Sequence, residues 1–196
     1  MNISKRGEYA LRTLIDLGIA EQAGRTLLQV SELADKEKLP LKFLEQVMNG
    51  LRGGGFVKSE RGKYGGYRLG KPARSITIGS VVRAIDGPLA PISCVSQTAY
   101  EPCSCPDETH CGLRMLMLDV RNAIAGILDR YTLADVVGVT VEKLHRNSQP
   151  LPFSKEAANA EQLLKPRLRR SARRAGRPPF DETAGVLHRL LGDYSI

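Results

Sequence analysis

Four cysteines, Cys94, Cys103, Cys105 and Cys111, fall within eighteen residues in the spacing C-x8-C-x-C-x5-C. Pro102, Pro106 and Gly112 punctuate the same stretch. Thiolates this crowded suit a soft metal centre, or they can oxidise and reduce as a thiol switch. The C-x2-C pairs typical of zinc sites are absent, as is the bacterial ferredoxin run. From spacing alone an iron–sulfur cluster is the favoured reading. Zinc, a redox switch and chemically inert thiols stay open. His110 adjoins Cys111 and is a candidate ligand; His145 and His188 have no partner in sequence.

A second set of side chains is suited to reading a nucleic acid. Between Pro40 and Gly53-Gly54-Gly55 the apolar residues Leu41, Leu44, Val47, Met48 and Leu51 recur at helical spacing. The other face of that helix then presents Lys42, Glu45, Gln46, Asn49 and Arg52. Gln or Asn pairs well with adenine and Arg with guanine, whereas a carboxylate accepts from cytosine and repels phosphate. Arg61, Lys63 and Arg68 lie on or beside a glycine-rich turn, where a basic tip can enter a narrow minor groove. Phosphate loops, nucleophile elbows and carboxylates paired with a positioned base are absent, so an enzyme is not expected.

The elements that must position these groups follow from periodicity and punctuation. Residues 5–22 read as a first helix on Leu11, Leu14, Ile15 and Ile19, with Gly18 on the same stripe for close packing. Leu27–Val30 reads as a short edge strand, and Ser31 as the cap of a helix from Glu32 to about Lys38. The third helix spans about Leu41–Arg52. Phe56–Glu60 and Gly66–Leu69 form a hairpin around residues 61–65. Three helices and then a basic hairpin is the order of a winged helix-turn-helix. Thr77 caps a fourth helix from Ile78 to about Ala84. A polar loop over 91–111 then holds every cysteine.

A long amphipathic helix follows from Leu113 to Tyr131, with a stripe of Leu113, Leu116, Met117, Val120, Ile124, Ile127 and Leu128. The first helix is expected to cover only part of this stripe and a second copy of the chain the rest. Thr132 starts a short last helix. The expected fold is thus mainly α: a winged helix-turn-helix with a two-stranded β wing and a long C-terminal dimerisation helix. The expected divisions are a DNA-binding domain over 1–75, the cysteine loop and dimerisation helices over 76–146, and a basic, flexible extension over 147–196. Leu187, Leu190 and Leu191 suggest a short terminal helix in that extension.

Composition agrees with these divisions. The 196-residue chain is 42% hydrophobic and carries a formal net charge of +8. That apolar content supports a core and excludes wholesale disorder. Residues 1–75 hold fourteen basic and eight acidic side chains, whereas 76–146 hold six and eight. The basic excess at the N-terminal end points to a polyanionic partner. Lys165–Arg177 adds seven basic residues and no acid, which either contacts DNA non-specifically or is a solvated tail. Aromatics at 5%, with no Trp, argue against a stacking platform for single strands. The absence of a long apolar run excludes a membrane helix, and the N-terminus lacks an export signal, so a cytoplasmic location is expected.

Several segments together resemble the Rrf2 family of bacterial regulators, of the IscR, NsrR and RirA type. They are residues 1–12 (MNISKRGEYALR), 41–46 (LKFLEQ), 61–70 (RGKYGGYRLG), 76–79 (ITIG) and 86–91 (DGPLAP) leading into Cys94. The match runs over about residues 1–145. The resemblance implies a homodimer that binds a palindromic double-stranded DNA operator. It implies an iron–sulfur cluster (2Fe-2S or 4Fe-4S) held by three loop cysteines and controlling operator affinity. Cys94, Cys105 and Cys111 match the ligand positions. Cys103 is extra, and the Cys94–Cys105 gap is longer than in IscR- or NsrR-like members.

Glu8 matches an acid that some members supply from the N-terminal helix as fourth ligand. Others use a histidine three residues after the last cysteine, where this chain has Arg114. Glu8, Cys103 and His110 are therefore the fourth-ligand candidates. Arg61 matches the wing arginine of the minor groove, and Glu45, followed by Gln46, the position that gates selectivity. Because some members sense through thiols without a cluster, a cluster-free regulator switched by cysteine oxidation is the alternative.

Overall fold

The computed structural model describes residues 3–62 and 64–157. Lys63, the Arg-rich block and the expected terminal helix at Leu187–Leu191 lie outside the described residues. Helix α1 (Lys5–Gln22) opens on Ser4, whose hydroxyl accepts from the Gly7 amide at 3.0 Å. The cap satisfies one of the free amides of the first turn. Helix α2 (Val30–Glu37) starts two residues earlier than expected. Its cap is Gln29 rather than Ser31, and Glu32 reaches back to the Gln29 amide at 2.9 Å. A capping box with glutamine outcompetes the single serine because it satisfies donors at both ends.

The chain leaves α2 through Lys38, a non-glycine residue at φ 54°. Leu39 and Pro40 then lead into α3 (Leu41–Gly53). Strands β1 (Val57–Glu60) and β2 (Gly66–Leu69) pair antiparallel, Val57 opposite Leu69 and Glu60 opposite Gly66. The expected edge strand at Leu27–Val30 reduces to one bridge between Leu28 and Tyr67, because Val30 already belongs to α2. A 3₁₀ turn at Ala73–Ser75 precedes α4 (Ile78–Asp86), which Thr77 caps as expected. Helix α5 (Gly112–Arg130) and helix α6 (Leu133–Arg146) follow, the last longer than the short helix anticipated.

One apolar core joins most of these elements. Leu14 of α1, Leu33 of α2, Leu44, Met48 and Leu51 of α3, and Leu133 and Val137 of α6 share it. Gly18 earns its place there, since a Cβ would sit 2.6 Å from a Val137 methyl. Leu151 and Phe153, beyond α6, pack back on the same core. Truncating any one of the fully buried leucines should cost about 2–5 kcal/mol.

Helix α1 therefore packs against α4 and α6, and the expected cover of the α5 stripe by α1 is not what forms. The α6 helix takes that face of α1 instead. Helix α5 contacts α4 and the Ser93–Val95 turn, and none of its residues is buried. Leu113, Met115, Leu116 and Ile127 stay exposed. Helix α4 is the crosspiece. Arg83 donates to both carboxylate oxygens of Asp129 on α5, each at 2.6 Å. Asp86 accepts from the Ser4 amide at 2.9 Å and from its hydroxyl, at the start of α1.

Candidate functional site

The cysteine loop leaves α4 at Gly87, whose φ of 91° lets the chain reverse. A 3₁₀ turn at Ser93–Val95 buries Cys94, and the loop ends where Cys111 caps α5. Cys103 and Cys111 are half-buried, Cys105 is exposed, and all four are free thiols. Their side chains interact in sequence: Cys94 with Cys103, Cys103 with Cys105, Cys105 with Cys111.

The electrostatics of the four are unequal. The Cys105 backbone amide, and then its thiol, hold Cys103 below the ordinary thiol value. Hydrogen bonding to Cys103, and next to Cys111, pushes Cys105 up to about 12. Burial, then Cys103, raises Cys94. The extra cysteine, Cys103, is thus made more acidic by its neighbours Cys105 and Cys94.

Of the other ligand candidates, His110 does not join the thiols. Its Nδ1 lies 2.7 Å from Asp107 Oδ2, and the pair is exposed. Glu8 pairs on its own helix, with Lys5 at 2.7 Å and Arg12 at 3.4 Å. Among the described residues no three His, Cys, Asp or Glu side chains are gathered so that they could hold a metal ion. The thiols form an open row of pairwise contacts. As soft donors, three of them not buried, they suit an iron–sulfur group by ligand type, although the row is not gathered around one point.

Sequence reasoning missed the polar groups around the thiols. The Tyr100 hydroxyl donates to both oxygens of Glu108 at 2.8 and 2.9 Å. Arg114 Nε lies 3.1 Å from Glu108 Oε1 and donates to the Cys94 carbonyl at 3.3 Å. In sequence Arg114 stands out only as the position where some family members have a histidine. Its spacing of three residues from Cys111 and seven from Arg121 puts both arginines on the loop-facing side of α5, which is the signal that was available.

A second surface lies at the other end of the molecule. Lys42, Glu45, Gln46, Asn49 and Arg52 are all exposed on the outer face of α3, while Leu44, Val47, Met48 and Leu51 point inward. Arg61 stands exposed at the start of the wing turn. Arg68 is half-buried and bound through Nε to Glu60 on the facing strand at 2.7 Å. A cleft of about 550 Å³ separates the start of α2 from the wing, bordered by Ser31, Arg52, Arg61 and Tyr67.

Beneath α2 lies a buried ion pair. Asp16 of α1 is 2% exposed and pairs with the Lys36 ammonium. Burial pushes the Asp16 carboxyl up to about 6, against the pull of Lys36. The same ammonium sits 5.7 Å above the Phe153 ring. The first two helices are thereby tied by charge as well as by packing.

Comparison with known proteins places this arrangement. A family model described as "Rrf2: Iron-dependent Transcriptional regulator" matches residues 3–138. An Rrf2-like HTH-type transcriptional regulator of Rhodobacter capsulatus is 39% identical over 139 residues, covering 69% of this chain and 91% of the relative. Among solved structures, CymR (YrzC), the global cysteine regulator of B. subtilis, superposes with a TM-score of 0.57 at 32% identity, covering 70% of this chain and 97% of CymR. The IscR of T. potens does so with a TM-score of 0.54 at 27% identity, covering 70% and 87%.

Proposed function

The chain belongs to the Rrf2 family of transcriptional regulators, and from that premise we propose that it is a DNA-binding regulator whose operator affinity is set by the state of its cysteine loop. Cys94, Cys105 and Cys111 are the proposed ligands of an iron–sulfur cluster, either 2Fe-2S or 4Fe-4S. Cys103 from the same loop, or Glu8 from the partner chain of a homodimer, is the fourth. The observation that carries this reading is the row of four thiols at the foot of α5. When bound, the cluster supplies an iron- and redox-responsive crosslink among those thiolates. The chain's own part is to hold the loop between α4 and α5 and to bring the exposed apolar face of α5 against a second copy.

In that dimer two α3 helices and two wings would meet half-sites about one helical turn apart. Lys42, Gln46, Asn49, Arg52 and Arg61 are the proposed DNA contacts, with Lys63 and Arg68 as wing contacts to phosphate. Arg68 must first exchange Glu60 for DNA. Glu45 acts by rejecting sites that place a phosphate or an acceptor before it. A coupling of about 1–3 kcal/mol between loop and operator corresponds to roughly 5- to 150-fold in affinity.

Anaerobic isolation tests this directly. Brown protein containing iron and acid-labile sulfide, whose operator affinity changes when they are removed, supports it. Colourless protein free of both refutes it. The spectra of Cys103→Ser and Glu8→Gln then identify the fourth ligand.

One observation favours a second reading. Cys103 is held as the acidic thiol between Cys94 and Cys105, which is the arrangement a disulfide switch needs. In that case diamide alters operator binding of iron-free protein and Cys103→Ser abolishes the response.

A further inference from the structure

Helix α5 has no buried side chain, so the loop is not secured to it by a core of α5's own. What joins them includes a pair of guanidinium contacts. Arg114 Nε donates to the Cys94 carbonyl at 3.3 Å, and Arg121 Nη1 donates to the Val95 carbonyl at 3.0 Å. The two arginines stand seven residues apart on one side of α5, about two turns. Their acceptors are consecutive carbonyls of the 3₁₀ turn that buries Cys94, groups that the end of a short helix leaves without an internal partner. Glu108 extends the anchor. Its carboxylate lies 3.1 Å from the same Arg114 Nε and is braced by the Tyr100 hydroxyl at 2.8 Å. Tyr100 and Glu108 bracket Cys103 and Cys105 in the chain.

We propose that Arg114 and Arg121 are positioning residues of the cysteine site, docking the Cys94 turn onto α5, and that Glu108 ties the Cys103–Cys105 segment to the same anchor. Each arginine acts on the backbone that presents the thiol. The Arg114 charge also bears on the Cys94 thiol itself. The consequence rests on the loop being the sensing element, since docking is what makes α5 feel a change at Cys94. The docking itself needs no cluster, and so it is tested without one.

The experiment uses full-length, reduced, metal-free protein. Iodoacetamide is added under native conditions, and the rate at each cysteine is read by peptide mass spectrometry. In the parent protein Cys94, which is buried and whose thiol is raised, reacts far more slowly than half-buried Cys103, whose thiol is lowered. Arg114→Gln and Arg121→Gln are each expected to speed Cys94 by about three- to tenfold, the factor that one lost charge-assisted hydrogen bond allows, with Cys105 unchanged. Glu108→Gln should speed Cys103 with a smaller effect on Cys94.

Unchanged Cys94 rates in both arginine variants overturn the proposal. A variant that unfolds is recognised because all four cysteines then react alike. Should Arg114→Gln do so, Arg121→Gln still decides, because among the described residues its hydrogen bond to the loop is the one to the Val95 carbonyl. Iron and sulfide content of anaerobically isolated parent protein is measured separately, so the docking and the cluster reading fail independently.

Discussion

The two ends of the molecule are built on opposite principles. The winged-helix end closes a core around Leu14, Leu44, Met48 and Leu51, all of them fully buried. The thiol end has a 19-residue helix with nothing buried, joined to its neighbours largely by arginines. The first is rigid by itself and keeps a fixed reading face. The second is held by contacts worth little singly in water, and is therefore the end that a change at a few sulfur atoms can rearrange. Under the proposed function the stiff end would read DNA and the compliant end would sense.

The sharpest way to break that contrast is to truncate a leucine at each end. Leu44→Ala is expected to lose about 2–5 kcal/mol in chemical denaturation. Leu116→Ala, from the exposed face of α5, should leave monomer stability within about 0.5 kcal/mol and lower the dimer population in sedimentation. Equal losses at the two sites would erase the distinction. Next in size are the reading face's own contacts. Arg52→Ala or Arg61→Ala should weaken specific operator binding by up to about 1–3 kcal/mol in titrations at fixed salt, with melting temperature unmoved.

The buried pair under α2 gives the rigid end a pH signature. Asp16 titrates at about 6 when folded, above its ordinary value, so the folded state binds the extra proton between roughly pH 4 and 6. Its contribution is present at low pH and is lost as pH rises through about 6. The stability of Asp16→Asn relative to the parent should therefore shift by about 1–2 kcal/mol between pH 5 and pH 7.5, favouring the variant at the higher pH. A flat difference would remove the buried-carboxyl account. Smaller still is Lys38→Gly. Relief of a left-handed residue should stabilise by about 0.5–1 kcal/mol in urea melts.

How far the sequence was legible follows the same divide. Helices α1 and α3, the wing and the Thr77 cap were readable because local rules acted alone: an apolar stripe, a break at Pro40, a glycine-rich turn. The start of α2 misled because Gln29 is a poor cap by itself and becomes a good one only with Glu32. The apolar stripe of α5 was legible but its neighbours were not. Which helix covers α1 depends on α6, whose Val137 needs Gly18 opposite, and no period in the chain announces that pairing. The thiols declared themselves by spacing. Their anchors did not, because Tyr100, Glu108 and Arg114 meet across a loop that has no repeat.

The crosspiece α4 carries a mechanical consequence. Arg83 is tied to α5 and Asp86 to the first turn of α1, three residues apart on one short rod. A Cβ at Gly7 would overlap the Asp86 carboxylate, and one at Gly79 the carboxylate of Asp129, so both joints close only because glycine leaves the space. Tilting α5 without breaking a joint must drag the first turn of α1 with it. A methyl group at either glycine would act as a wedge, forcing that joint open.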